Sequence, residues 1–231
     1  MRRSRHWSRA GTRQRQRSNG KPIAMGWAMK LDKTEIARRQ LGTALALFLE
    51  DSDPVSVHAL ACAGCEIAEY LTDKAGEKPF STHALATFPN LKIGEIRQLQ
   101  NQYWNAFKHA RTRGGIERKD RELLERFGDE VNDHTLFIGW HDYMLVVRAL
   151  PIEAQIFQMW YFALYPEKLN PEVDTTTYQR LFPLLPTKSR ADQKRALREV
   201  ISSYQGNAEV MNHPKTDPRP LMLRAEALKD L

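Results

Sequence analysis

Only two cysteines, Cys62 and Cys65, occur among 231 residues, too few to staple a chain of this length, and no upstream segment has the continuous apolar core of a secretory signal. A disulfide-built extracellular fold is thereby excluded, and a reducing cytoplasm is the expected compartment. Long hydrophobic runs are missing too. The most apolar stretch, Ile152 to Leu164, falls short of the roughly 20 residues needed to cross a bilayer, so no membrane partner is expected. No segment of useful length alternates apolar and polar residues as a strand would, and no internal repeat is present. A phosphate-cradling glycine loop, a Gly-x-Ser-x-Gly elbow and a His-Glu-x-x-His helix are all absent. No glutamate is followed three positions later by histidine, which removes the di-iron bundle signature. No cofactor is expected, and no resident metal.

Acidic charge is absent from one region in particular. Of the 35 basic residues, eight lie in the first 21, where no acidic residue occurs: Arg2, Arg3, Arg5, Arg9, Arg13, Arg15, Arg17 and Lys21. The 27 that remain face all 28 acidic residues, so the chain after Lys21 carries a formal charge of −1. A basic, self-repelling stretch without apolar period cannot offset the entropy of ordering, so residues 1–28 are expected to form a disordered arm. Its arginines are candidate contacts for the phosphates of RNA or DNA, with His6 and Trp7 available for stacking. A second reading is an upstream extension from a misplaced start, because Met25 and Met29 stand just before the first amphipathic pattern; an organellar transit peptide is a third.

Beyond the arm the pattern is helical. Ala37, Leu41, Ala44, Leu45 and Phe48 give Lys33 to Glu50 one apolar stripe. Asp53 and Pro54 supply an N-cap and first turn for a second helix that ends at Gly76, and its small residues Ala61 and Gly64 allow close approach of helix one in an antiparallel hairpin. Residues 76 to 90 read as a loop, and Leu91 to Arg111 as a single third helix ended by Gly114-Gly115. Glu117 to Leu150 reads as helical with a break near Gly128, and Ile152 to Tyr165 as a central apolar helix opened by Pro151. A short piece spans Thr175 to Phe182, and Ser189 to Tyr204 forms a last surface helix before Gly206. The expected fold class is all-α: a helical bundle with antiparallel helix hairpins over residues 29–206, and a loosely attached tail over 207–231.

Two polar sets stand out. The spelling Cys62-Ala63-Gly64-Cys65 is that of a redox pair, yet Cys62 lies more than two turns inside its helix, away from the N-terminus that would lower a thiol pKa. Two small residues packing on helix one are expected. His58 shares their face, so a metal site completed by His109, His134 or His141 is the alternative. His134 and His141, seven apart beside Asp133 and Asp142, are expected to face one groove or to be satisfied core histidines.

The stretch Asn101-Gln102-Tyr103-Trp104-Asn105-Ala106-Phe107-Lys108-His109-Ala110 places Asn105 and His109 four apart on one helical face. From Lys33 to Ala110 the sequence resembles HEPN-type helical bundles of prokaryotic defence and toxin systems, through its helix pairing, its polar helix ending in Lys108-His109-Ala110 and the apolar helix that comes after. It is also similar to an uncharacterised bacterial group with an aromatic-Lys-His-Ala element. Many HEPN proteins are ribonucleases, and the resemblance makes His109 the candidate acid/base and Asn105 its polar companion. The arginine that precedes the histidine in active members would fall at Gln102, Tyr103 or Trp104 and is missing. Three functions are compatible with these features: a binding or assembly module with a homodimeric or protein partner, a metal-independent ribonuclease using His109, and a nucleic-acid binder acting through the arm.

Overall fold

Asp32 opens the first helix by accepting the Glu35 N–H at 2.8 Å, and Asp53 opens the second by accepting from Ser56 at 2.9 Å, each satisfying a donor that the first helical turn leaves orphaned. The computed structural model describes residues 31–87, 90–169 and 172–222. Among them the protein is all-α, with α1 (Lys33–Leu49), α2 (Pro54–Lys74), α3 (Phe80–Thr87), α4 (Ile93–Gln100), α5 (Gln102–Lys108), α6 (Arg121–Leu124), α7 (Val131–Val147), α8 (Ile152–Leu164), α9 (Thr176–Leu181), α10 (Arg190–Gln205) and α11 (Ala208–Met211). The only β pairings among these residues are two isolated bridges, Arg111 with Glu117 and Leu150 with Thr216.

The α1–α2 hairpin forms as its small residues require. A Cβ on Gly64 would lie 2.6 Å from Leu41 Cγ, and one on Gly139 of α7 would lie 2.5 Å from Leu41 Cδ2 and 2.8 Å from Cys65 Sγ. Leu41, fully buried, thus fills a slot made by two glycines, which brings α1, α2 and α7 together at their backbones. The side-chain links between α2 and α7 run His58 to Asn132, Cys65 to Thr135 and Thr72 to Asp142, so these helices lie side by side and parallel. Helix α8 covers the other side with Ile156, Phe157 and Trp160 buried; Phe48 of α1 meets Phe157 and Trp160 edge to face at 5.7 and 6.1 Å.

The observed elements depart from the sequence reading in three places. Within the expected 76–90 loop, α3 forms because Phe80 docks on α7: its N–H donates to Asp142 Oδ1 at 2.8 Å and its ring meets Phe137 at 5.8 Å. The expected single helix from Leu91 to Arg111 is two helices. Asn101, at φ −102° and ψ 9°, breaks it, and α5 stops at Lys108 because His109 is extended (φ −129°, ψ 111°). Beyond it, Gly115 at φ +79° lets the chain reverse between Arg111 and Glu117, at the expected stop, but the helix expected from Glu117 to the break near Gly128 shrinks to the four residues of α6.

The tail, expected to be loose after Asn207, is bound as far as it is described. Leu150 N–H donates to Lys215 O at 3.0 Å and Asp217 N–H to Leu150 O at 2.9 Å. Arg38 of α1, 2 % exposed, donates to Asp217 Oδ2, Leu221 O, Arg219 O and Pro220 O at 2.9 to 3.2 Å. Burial opposes ionisation of Asp217, but hydrogen bonds from Arg219 and Arg38 more than offset it and hold the carboxyl down at about 2, against 3.8 unperturbed. A carboxyl depressed on folding contributes stability that is complete above its unfolded value and lost as pH falls toward its folded one. Urea unfolding between pH 5 and pH 2 is therefore expected to lose up to about 2 kcal/mol from this group, the upper limit because Arg219 is partly solvated. The loss should begin near pH 4, and Asp217→Asn should start less stable at pH 5 and show a shallower decline.

Candidate functional site

A cleft of about 430 Å³ lies along α2 and α7 beneath the α4–α5 joint. Helical spacing builds two of its walls. Cys62, Cys65, Glu66 and Glu69 line it from α2, and Val131, His134, Thr135, Ile138 and Asp142 line it from α7, each set recurring at three and four residues along one face. The roof is Leu99, Gln100, Asn101, Gln102 and Tyr103, which the break at Asn101 lays across the cleft.

The floor is apolar and its polar groups are tied down. Cys62 is buried and 3.4 Å from His58 Nε2, while Cys65 donates to Thr135 O at 3.1 Å. Burial pushes the Cys62 thiol up to about 12 and Cys65 well above its ordinary value, so neither is a thiolate near neutrality. The second nitrogen of His58, Nδ1, meets Asn132 Oδ1 at 3.0 Å. Burial lowers the His58 pKa against the opposing pull of that bond. Its ring is also enclosed by Tyr103, Phe107 and Phe127 at 5.4 to 6.0 Å. Cys65 is therefore turned to α7 rather than to α1, and no cluster of three or more His, Cys, Asp or Glu groups among the described residues is placed to hold a metal ion.

Around this floor stand groups with capacity to spare. Glu69 accepts from Ser81 Oγ at 2.7 Å and from Arg97 at 3.0 Å. Asp142, 2 % exposed, accepts Phe80 N–H and faces His141 Nδ1 through Oδ1 alone, leaving Oδ2 without a donor among the described residues. Glu66 at the mouth and the side-chain amides of Gln100, Asn101 and Gln102 likewise have no hydrogen-bond partner there. No lysine or arginine lines the cleft. His134 adds no charge at neutral pH, since burial and then the nearby Lys168 lower it to about 4; its Nδ1 meets Tyr161 Oη at 2.9 Å.

Of the residues singled out in the sequence, Cys62, Cys65, His134 and Asp142 line this cleft, whereas His109 and Asn105 do not. His109 is exposed and borders a shallow surface hollow with Arg118 and Arg121, arginines already paired with Asp120 and Glu125. Asn105 lines a different groove, with Arg97, Trp104 and Lys108. Their shared element is the backbone bond from His109 N–H to Asn105 O, 3.2 Å: the helix ends at Lys108, so the four-residue spacing no longer aligns the two side chains. The side-chain pairing of His109 with Asn105 that the helical spacing implied is therefore not formed. His134 and His141 also part company: His134 faces the cleft, while His141 packs on Phe80, His83 and Phe137. Arg2, Arg3, Arg5, Arg9, Arg13, Arg15 and Arg17 lie outside the described residues. The cleft itself was missed in the sequence, although the polar residues on the inner stripes of α2 and α7 were its signal. No helix among the described residues is long and apolar enough to cross a membrane. Comparison of the chain with protein-family models, with curated proteins and with solved structures returned no match.

Proposed function

We propose that this protein is a binding module on a HEPN-like helical bundle, that its ligand site is the α2–α7 cleft roofed by the α4–α5 joint, and that it is not a ribonuclease working through His109. The observation that carries this reading is the concentration of unpartnered polar capacity in one concave place: three half-buried amides, the Glu66 carboxylate and one oxygen of Asp142 around an apolar floor. Cavities of a few hundred Å³ with an apolar lining and a few convergent polar groups are the usual form of a small-molecule site. His109 has the opposite setting. It stands in solvent without a base-orienting partner, and the arginines beside it are neutralised by carboxylates, so nothing is arranged to stabilise a pentavalent phosphorane.

Two measurements test the reading. A screen of small molecules by thermal shift is expected to yield ligands that raise the melting temperature of the wild-type chain and fail to do so for Leu99→Trp, a substitution at an exposed roof position that occupies the cleft. In parallel, purified protein is expected to leave single-stranded RNA uncut, and His109→Ala to change stability by no more than about 0.5 kcal/mol, as befits an exposed side chain. RNA cleavage that disappears in His109→Ala would overturn the proposal.

A further inference from the structure

The charge lining the cleft identifies the class of molecule it would take. Three carboxylates, Glu66, Glu69 and Asp142, border it and no basic side chain does. The nearest cations lie in the neighbouring groove, which Glu66 and Glu69 also border, and are engaged there: Arg97 holds Glu69 at 3.0 Å, and the Lys108 ammonium lies 4.5 Å from the centre of the Trp104 ring. Glu66 has no cation of its own, and the buried Asp142 keeps one oxygen unbonded. An anionic ligand entering this space would be desolvated against like charge, while a cation would find an unpaired carboxylate at the mouth and side-chain amides able to turn an oxygen toward it on the roof. Below the mouth, Cys62, Val131 and Ile138 offer an apolar bed, and Tyr103 also lines the space.

Resting on the reading of this cleft as the ligand site, we propose that it binds a small organic cation: an ammonium group seated beside Glu66 and the Gln100–Gln102 amides, on an apolar body that fills the floor between α2 and α7. The same arrangement rejects phosphorylated and carboxylated molecules of equal size. Specificity of this kind comes from charge placed against the wrong ligand as much as from contacts with the right one.

Three probes with one indole body and different charge separate these effects: tryptamine (cation), tryptophol (neutral) and indole-3-acetate (anion). Titration calorimetry of the full chain at low salt is expected to show tryptamine binding at least about tenfold tighter than indole-3-acetate, with tryptophol between them. Glu66→Gln, at an exposed position without a partner, should leave the melting temperature unchanged, weaken tryptamine about fivefold and leave tryptophol unaffected. Leu99→Trp should weaken all three. If tryptophol or indole-3-acetate binds as tightly as tryptamine and this binding is lost in Leu99→Trp, the cleft is a ligand site but the cation assignment is wrong. An unchanged tryptamine affinity in Glu66→Gln likewise overturns that assignment. If no probe shows binding sensitive to Leu99→Trp, the cation assignment and the cleft reading fall together.

Discussion

Replacing Arg190 with methionine is expected to destabilise the protein by about 3 to 5 kcal/mol, the cost of leaving a buried charge without its partner. Arg190, at the start of α10, donates to both oxygens of Asp133 at 2.6 and 2.8 Å and to Asp129 at 2.8 and 2.9 Å. Its guanidinium also lies over the rings of Phe48 and Trp160 at 5.4 and 5.6 Å. Asp133 has no exposed surface. Burial pushes its carboxyl up to about 6 even with Arg190 bonded and the Tyr165 hydroxyl donating to it. Removing the guanidinium raises it further, and a carboxyl raised on folding costs more stability as pH climbs from its unfolded value through its folded one. The loss in Arg190→Met, read by urea unfolding, should therefore be larger at pH 8 than at pH 5. Adding Asp133→Asn should recover about 1 to 2 kcal/mol at pH 8, because the uncompensated charge is gone. A single variant that loses less than about 1 kcal/mol would show that the network is solvated in solution.

Replacing Arg38 with methionine is expected to cost about 3 kcal/mol and to release the C-terminal segment before the rest of the fold unfolds. The side chain donates four hydrogen bonds to residues 217–221. Gly42, one turn along α1, admits that segment at close range, since a Cβ there would come 2.3 Å from Leu221 O. Arg219 still holds Asp217 at 2.9 Å, which keeps the penalty below that of a fully orphaned carboxylate. Hydrogen exchange gives the clearest readout, because the Leu150 and Asp217 amides report the contact directly. Both should lose protection in Arg38→Met while the central amides of α2 and α7 keep theirs. Uniform loss across all helices would mean that the segment unfolds together with the core.

The candidate site was legible only in fragments. Cys62, Cys65, His134 and Asp142 could be picked out as polar or reactive residues on helical faces. Their assembly into one cleft depends on α2 and α7 lying parallel and in register, which Leu41 fixes from a third helix between Gly64 and Gly139. Asn105 and His109 illustrate the converse. Their spacing is that of helical neighbours, and the inference failed because the helix ends one residue before His109. Asn101 hid the roof in the same manner: a continuous helix from Leu91 would have carried Gln100 and Gln102 to different faces, whereas the break turns both into the cleft.

By itself the sequence determined the fold class, the α1–α2 hairpin, the cap at Asp53 and the central position of α8. Each of these rests on local spacing or on a residue's own backbone preference, physics that acts within a few positions along the chain. The tertiary structure alone decided that α3 forms, since its docking group is Asp142, 62 positions from Phe80 in the chain. It likewise decided that the C-terminal segment is bound and that Asp133 is charged against Arg190. In all three the stabilising partner is remote in sequence, and a long-range polar contact leaves no periodic trace in the residues on either side of it.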